Sequence, residues 1–170
     1  QLISLKVGES YTDAGATASA GGANLEVKVE GSVNTSVPGV YRISYEAKNA
    51  DGYSSIQYRW VGVHTQEALD DNLVGKYQRT AGAQGTSTWT KVLPGIYKAT
   101  DVGGAKLPDQ YVYVFNTEKN IIVVPNQPLG GSGSNVKYTN ATGGENIDFT
   151  PGAVGAIHYK WIVINSGYGT

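Results

Sequence analysis

The feature that most constrains this chain is a strict two-residue alternation of apolar and polar side chains in short runs. Leu25, Val27 and Val29 alternate with Glu26, Lys28 and Glu30, and Tyr41, Ile43 and Tyr45 alternate with Arg42, Ser44 and Glu46. The run Ile56-Gln57-Tyr58-Arg59-Trp60-Val61-Gly62-Val63 repeats the pattern. Successive side chains of a strand point to opposite faces, so each run reads as a strand with one face buried and one wet. Between the runs lie Gly21-Gly22, Pro38-Gly39 and Asn49-Ala50-Asp51-Gly52, residues suited to tight turns. Strands and turns at this spacing predict an immunoglobulin-like β-sandwich over residues 1–65.

The second half shows the same grammar with less regular faces. Strands are predicted at 75–80, 86–92, 95–100, 110–116, 120–125, 135–139, 146–150 and 156–165. Ile121-Ile122-Val123-Val124 is a continuous apolar run, as in a strand covered on both sides. So many short, hairpin-connected strands predict a small antiparallel β-barrel or a curled sheet over 66–170. Residues 64–72 are polar and helix-compatible and read as a linker with one helical turn, the boundary falling at 65–70. Residues 127–134 read as a flexible loop. The fold class expected is therefore all-β, in two domains.

Composition then removes whole classes of function. Charged residues are 16% of the 170 and the net charge is −1, so no basic surface is available to neutralise a phosphate backbone, and no nucleic-acid partner is expected. No run of about eighteen apolar residues is present to span a bilayer as a helix. The absence of cysteine excludes disulfides, thiolate catalysis and zinc–sulfur sites. The absence of methionine, initiator included, points to a chain that starts after a cut, with any export signal lying outside it.

The chemistry-bearing residues are sparse. His64 and His158 are far apart in sequence, no serine sits in a Gly-x-Ser-x-Gly elbow, and neither a His-Glu-x-x-His motif nor a calcium loop occurs. No catalytic residue, metal site or cofactor is expected. Asn34-Thr35-Ser36 and Asn140-Ala141-Thr142 fit the glycosylation pattern, which arises easily by chance. Aromatics are the informative class: Trp60, Trp89 and Trp161 with Tyr97, Tyr111, Tyr113, Tyr138, Tyr159 and Tyr168. Such rings either fill a small β core or, when exposed beside polar groups, stack on sugar faces. Trp89 shares its strand face with Ser87 and Lys91, which predicts an exposed ring; Trp161 shares its face with Ile157, Tyr159 and Val163, which predicts a core position. Trp89, Tyr97, Tyr111 and Tyr113 are the candidate ligand-binding residues.

The stretch Val7-Gly8-Glu9-Ser10-Tyr11-Thr12-Asp13-Ala14-Gly15-Ala16-Thr17-Ala18 resembles the opening of a bacterial immunoglobulin-like repeat of the surface-protein type, as in pesticidal crystal protein Ig-like domains. That family has Val-Gly-x-x-Tyr-x-Asp-Pro-Gly-Ala-x-Ala there, so Ala14 replaces its proline. Residues 31–47, with Val37-Pro38-Gly39-Val40-Tyr41 at their centre, match its second signature. Leu73-Val74-Gly75-Lys76-Tyr77-Gln78-Arg79-Thr80 and Tyr159-Lys160-Trp161 more loosely resemble the C-terminal β domain of Bacteroides-type surface lipoproteins. The resemblance implies an extracytoplasmic cell-surface or periplasmic lipoprotein whose lipid anchor lies outside this chain. It further implies glycan capture, with polysaccharide or oligosaccharide and a TonB-dependent transporter complex as partners. The alternative is a structural spacer or protein-interaction scaffold at the outer membrane surface.

Overall fold

A computed structural model of the chain describes residues 1–78, 85–101, 109–128, 130–131, 140–148, 156–157 and 161–164. Side chains are described for all of these except 128, 140–148, 156–157 and 161–164. The architecture is all-β. Strands β1 (Leu2–Lys6), β4 (Val27–Glu30), β5 (Gly39–Lys48) and β6 (Ser54–His64) form a four-stranded sheet in the order β1-β6-β5-β4, and β2 (Ala18–Ala20) pairs with β3 (Ala23–Leu25) as a separate hairpin. β1 runs parallel to β6 and the other neighbours are antiparallel. The run read as one strand over 24–30 is thus divided: Leu25 closes the hairpin and Val27 opens β4, an edge strand on which Val29 stays 49% exposed.

Register assigns the faces of this first sheet. Ile43 pairs with Arg59 and Tyr41 with Val61, which pairs in turn with Ile3; Ile43, Tyr45, Arg59, Val61 and Val63 are buried on this inner face. The opposite, outer face carries Lys28, Glu46 and Ile56 in one row, Glu30, Ser44 and Tyr58 in the next, and Arg42, Trp60 and Leu2 in a third. Alternation in β6 therefore buries the face holding Arg59 and leaves its most aromatic face outside. The reason lies in residues 11–15. Asp13 accepts hydrogen bonds from Tyr11 (2.9 Å), Tyr45 (2.6 Å) and the Arg59 guanidinium, and Arg59 donates to Gly15 O (3.1 Å). A strand residue with a full-length cation can point inward because carboxylate, phenol and carbonyl wait for it there. Tyr41 closes the preceding turn by donating to Val37 O at 2.9 Å, a phenol fastened to backbone four residues upstream.

A five-residue helix, α1 (Gln66–Asp70), follows, capped by Thr65, whose Oγ1 accepts from Ala68 N at 3.4 Å. The second sheet is then an antiparallel meander of β7 (Gly75–Gln78), β8 (Thr86–Leu93), β9 (Ile96–Thr100), β10 (Tyr111–Glu118), β11 (Ile121–Pro128) and β12 (Asn140–Asp148). β13 (Ala156–Ile157) and β14 (Trp161–Ile164) both pair with β12. Among the described residues the sheet keeps open ends and does not close into a barrel. The single strand expected over 156–165 is described as these two pieces.

Two further expectations are corrected by this sheet. Residues 140–148 form one strand, longer at its start than the strand expected at 146–150. Gly143 and Gly144 sit opposite Val124 and Val123, and pairing with that apolar strand overrides the weak local propensity of the glycines. Gln127 is a buried strand residue, not part of a loop: its amide donates to Tyr113 O and accepts from Tyr113 N, both at 2.8 Å, so it substitutes for ladder bonds where the β11 register shifts. The expected strand at 135–139 and residues 129 and 132–134 of the expected loop lie outside the described residues.

Leu73, Trp89, Tyr97, Ala99, Val112, Val114, Ile122 and Val124 form the core on one face of the meander, with Tyr77 packed against them. The other face carries Lys98, Tyr111, Tyr113, Ile96 and Phe115. Ile96 and Phe115 are fully buried there because β10 and β11 pack over β5 and β6 of the first sheet.

Candidate functional site

The structure divides the four sequence-predicted site residues into two pairs. Trp89 is 1% exposed and Tyr97 fully buried, so neither can stack on a ligand from solvent. The expectation for Trp89 fails because Ser87, on the same face, does not mark that face as wet. Ser87 is itself buried: its Oγ accepts from Trp89 Nε1 at 3.1 Å and donates to Thr100 O at 2.6 Å. A small hydroxyl with both valences used costs little to bury. Tyr97 packs beside Trp89 with ring centroids 6.4 Å apart, and its hydroxyl donates to Asp71 O at 3.0 Å, fastening the segment after α1 to the core. Burial raises the Tyr97 pKa, as expected for a phenol held neutral in a core.

Tyr111 and Tyr113 are half-exposed and lie edge to face at 5.5 Å. Lys98 Nζ sits 4.1 Å from the Tyr111 centroid and Gly130 packs against the same ring, so this ring is covered by the protein's own groups. Tyr113 has its backbone pinned by Gln127. Trp161 is described only in its backbone, and Tyr138, Tyr159, Tyr168 and His158 lie outside the described residues.

The more open aromatic surface is on the first sheet, where sequence reasoning did not place it. Tyr58 is 38% exposed and Ile56 45%, and Tyr58 and Trp60 lie 6.4 Å apart. The Arg42 guanidinium carbon stands 5.0 Å from the Tyr58 centroid and 5.8 Å from that of Trp60, a cation shared by two rings. Lys28, Glu30, Ser44 and Glu46 complete a shallow hollow of about 160 Å³ with Arg42, Ile56 and Tyr58. That volume is below the several hundred Å³ of a typical enclosed ligand pocket, so this is a shelf for one ring or side chain at a time. Its charges balance, two cations against two carboxylates, with Lys28 and Glu30 paired at 2.6 Å. The signal was present in the alternation of Ile56, Tyr58 and Trp60. Apolar residues at that spacing normally mark the inner face, so the alternation alone does not point outward.

Both aromatic surfaces run from one place. Trp60 and Gly62 share a face of β6, Tyr113 and Phe115 share a face of β10, and Gly62 and Phe115 are where the sheets meet. A Cβ built on Gly62 would fall 2.8 Å from the Phe115 ring and collide with the His64 imidazole. Among the described residues no group of three or more His, Asp or Glu is gathered to hold a metal ion, and no helix is long and apolar enough to cross a membrane.

Comparison with known proteins bears first on the first sheet. Residues 1–63 match a family model described as the Ig-like domain of bacterial surface proteins. The crystal structure of the lipoprotein BT2262 from Bacteroides thetaiotaomicron is similar at 18% sequence identity, covering 95% of this chain and 94% of that one, with a TM-score of 0.38. That likeness is too distant to transfer a role. No curated protein matches the chain.

Proposed function

We propose that this chain is the extracytoplasmic part of a lipid-anchored cell-surface protein that acts without catalysis, capturing a glycan for an uptake system through aromatic side chains next to the junction of its two sheets. In this reading residues 1–65 and 66–170 are two domains, the first a surface-protein Ig-like module. The match over residues 1–63 supports the surface location. The observation that carries the ligand reading is the Tyr58–Arg42–Trp60 shelf. Rings offer flat apolar surface to the C–H faces of a sugar, while Arg42, Glu30, Glu46 and Ser44 surround them with groups that hydrogen-bond hydroxyls. Balanced charge suits a neutral saccharide better than a polyanion.

Affinity electrophoresis of the chain in gels containing individual neutral polysaccharides tests this, with Tyr58→Ala and Trp60→Ala beside the natural sequence. Retardation by at least one polysaccharide, weakened about tenfold by either substitution, is expected, corresponding to about 1.4 kcal/mol. Equal mobility on every polysaccharide would refute glycan capture. A second reading, a scaffold that docks to a transporter subunit, is favoured by the burial of Trp89 and Tyr97 in the core and by the Trp, Tyr and Arg content of the shelf, the residues that dominate protein interfaces. Under it, native-membrane pull-down retains a partner, and the same two substitutions release it.

A further inference from the structure

We infer that the junction between the two sheets is a proton-sensitive latch: His64 in its neutral form closes the first sheet on the second, and protonation of its imidazole opens the contact. This goes beyond ligand capture and does not depend on it.

His64 is the last residue of β6 and is fully buried on the outer face, two residues beyond Gly62. Its Nδ1 lies 2.5 Å from Asn116 O in β10. A carbonyl only accepts, so the proton of the neutral ring sits on Nδ1. Nε2 is buried with no hydrogen-bond partner and lies against Gly62, next to which the Phe115 ring also packs. On the other side, a Cβ on Gly95 would stand 2.5 Å from Nδ1, and Gly95 holds a φ of +70° that side chains disfavour. Two glycines therefore make the slot, one from each sheet's side of the junction. A second proton would have to go on Nε2, which is buried with no acceptor. Such a charge is expelled by opening the contact.

The latch continues into the second core. The Asn116 amide donates to Ala68 O at 3.1 Å and Asp71 Oδ2 at 3.0 Å, and the Asp71 carbonyl accepts from Tyr97. Backbone bonds from Thr65 N to Thr117 O (2.9 Å) and from Asn116 N to Gly95 O (2.8 Å) flank it, with Ser4 Oγ donating to Pro94 O at 2.6 Å. The elements packed around it carry the following charged groups. Lys6 of β1 is the cross-strand neighbour of His64 and is exposed; α1 and its end bring Glu67, Asp70 and Asp71; β10 and its turn bring Glu118 and Lys119. Among the described residues none of these is hydrogen-bonded to the imidazole, and the Asp71 carboxylate is engaged by the Asn116 amide. Burial lowers the His64 pKa, and the bond to Asn116 O only partly offsets this. The closed form therefore binds the proton less well than the open form. The latch is at full strength above about pH 6.5 and weakens as pH falls below that value, where only the open form takes up the proton. Opening would bare Gly62 and Phe115 beside Trp60, lengthening the exposed face of the first sheet.

The absence of cysteine makes the test direct. Cysteines at Tyr53→Cys, where the native ring is 77% exposed at the hairpin tip of the first sheet, and at Thr90→Cys, exposed on β8, carry a spin-label pair. Distances are measured by pulsed electron resonance from about pH 7.5 down to about pH 4.5, and the two histidines are titrated by NMR. One narrow distance at high pH is expected. It should give way to a longer, broader distribution at low pH while His64 titrates below the ordinary imidazole value, and His64→Gln should remove the pH dependence. A constant distance through the titration of His64, or a His64 that titrates like a free imidazole with the distance unchanged, would overturn the latch. Should His64→Gln not fold, the distance and titration of the natural His64 decide alone.

Discussion

Asp13 is the residue whose removal tests the architecture of the first sheet most sharply. Its carboxylate takes hydrogen bonds from two phenols and one guanidinium, and it is what allows Arg59, 9% exposed in its side chain, to point inward. Asp13→Ala leaves that cation with Gly15 O, the Gln1 side chain and the Tyr45 hydroxyl and ring, but with no counter-charge. Removing one partner of a fully buried pair costs about 3–5 kcal/mol. The Asp13 side chain is 25% exposed, so water screens part of the loss and about 2–3 kcal/mol is expected. Hydrogen exchange of the amides in Gly39–Lys48 and Ser54–His64, read against those of Tyr111–Glu118, isolates the first sheet from the second. Burial pulls the Asp13 pKa up, but the bonds from Tyr45, Tyr11 and Arg59 outweigh it and hold the pKa below the ordinary value, while Tyr45 is pushed up to about 12, first by burial and then by its bond to Asp13. A carboxyl with a depressed folded-state pKa lends stability above about pH 3.9 that is lost as pH falls through the folded value. Asp13→Asn should remove that part of the acid sensitivity. A loss below about 0.5 kcal/mol in Asp13→Ala, the scale of ordinary surface substitutions, would refute the claim that this network turns β6 inside out.

Two further substitutions probe the second sheet and the junction. Trp89→Ala should cost about 3–5 kcal/mol in urea unfolding, because it empties the centre of the core, and should leave polysaccharide retardation of the folded protein unchanged. Gly62→Ala should destabilise the junction by about 1–3 kcal/mol through overlap with His64 and Phe115, visible as faster exchange of the Thr65 amide with the rest of the first sheet little affected.

How far the sequence could be read follows from what alternation encodes. Period-2 patterning reports that a segment is extended and which residues share a face, and the meander from β7 to β11 was legible on that basis. It does not report which face is inside. In β6 the more aromatic face is the outer one, because residue 59 meets a carboxylate that lies 46 positions earlier in the chain. In β8 the face with a serine and a lysine is the inner one, because Ser87 spends its hydroxyl on Trp89 and Thr100 while Lys91, beyond the core, reaches over the Tyr97 ring. Both inversions depend on a polar group being satisfied by a partner distant in sequence. The Tyr-x-Asp-x-Gly motif was visible as a resemblance, and only the structure gives it a physical role as the inner-face lock for Arg59.

These inversions also explain why Tyr58 and Trp60 on one strand and Tyr111 and Tyr113 on another extend from the same junction. A sheet face can be buried along only part of its length when its partner crosses it at one end. The outer face of the first sheet is closed by Phe115 at Gly62 and open from Trp60 onward, and the face of β10 is closed at Phe115 and half-open at Tyr113 and Tyr111. Selection for burial at the closed end favours apolar and aromatic residues in register with it, and the same register carries rings past the edge of the contact. Junction and binding surface are then two segments of one pair of strands. Substitutions at the closed end, such as Gly62→Ala, would therefore loosen the junction through His64 and Phe115 while leaving the rings of the open end in place.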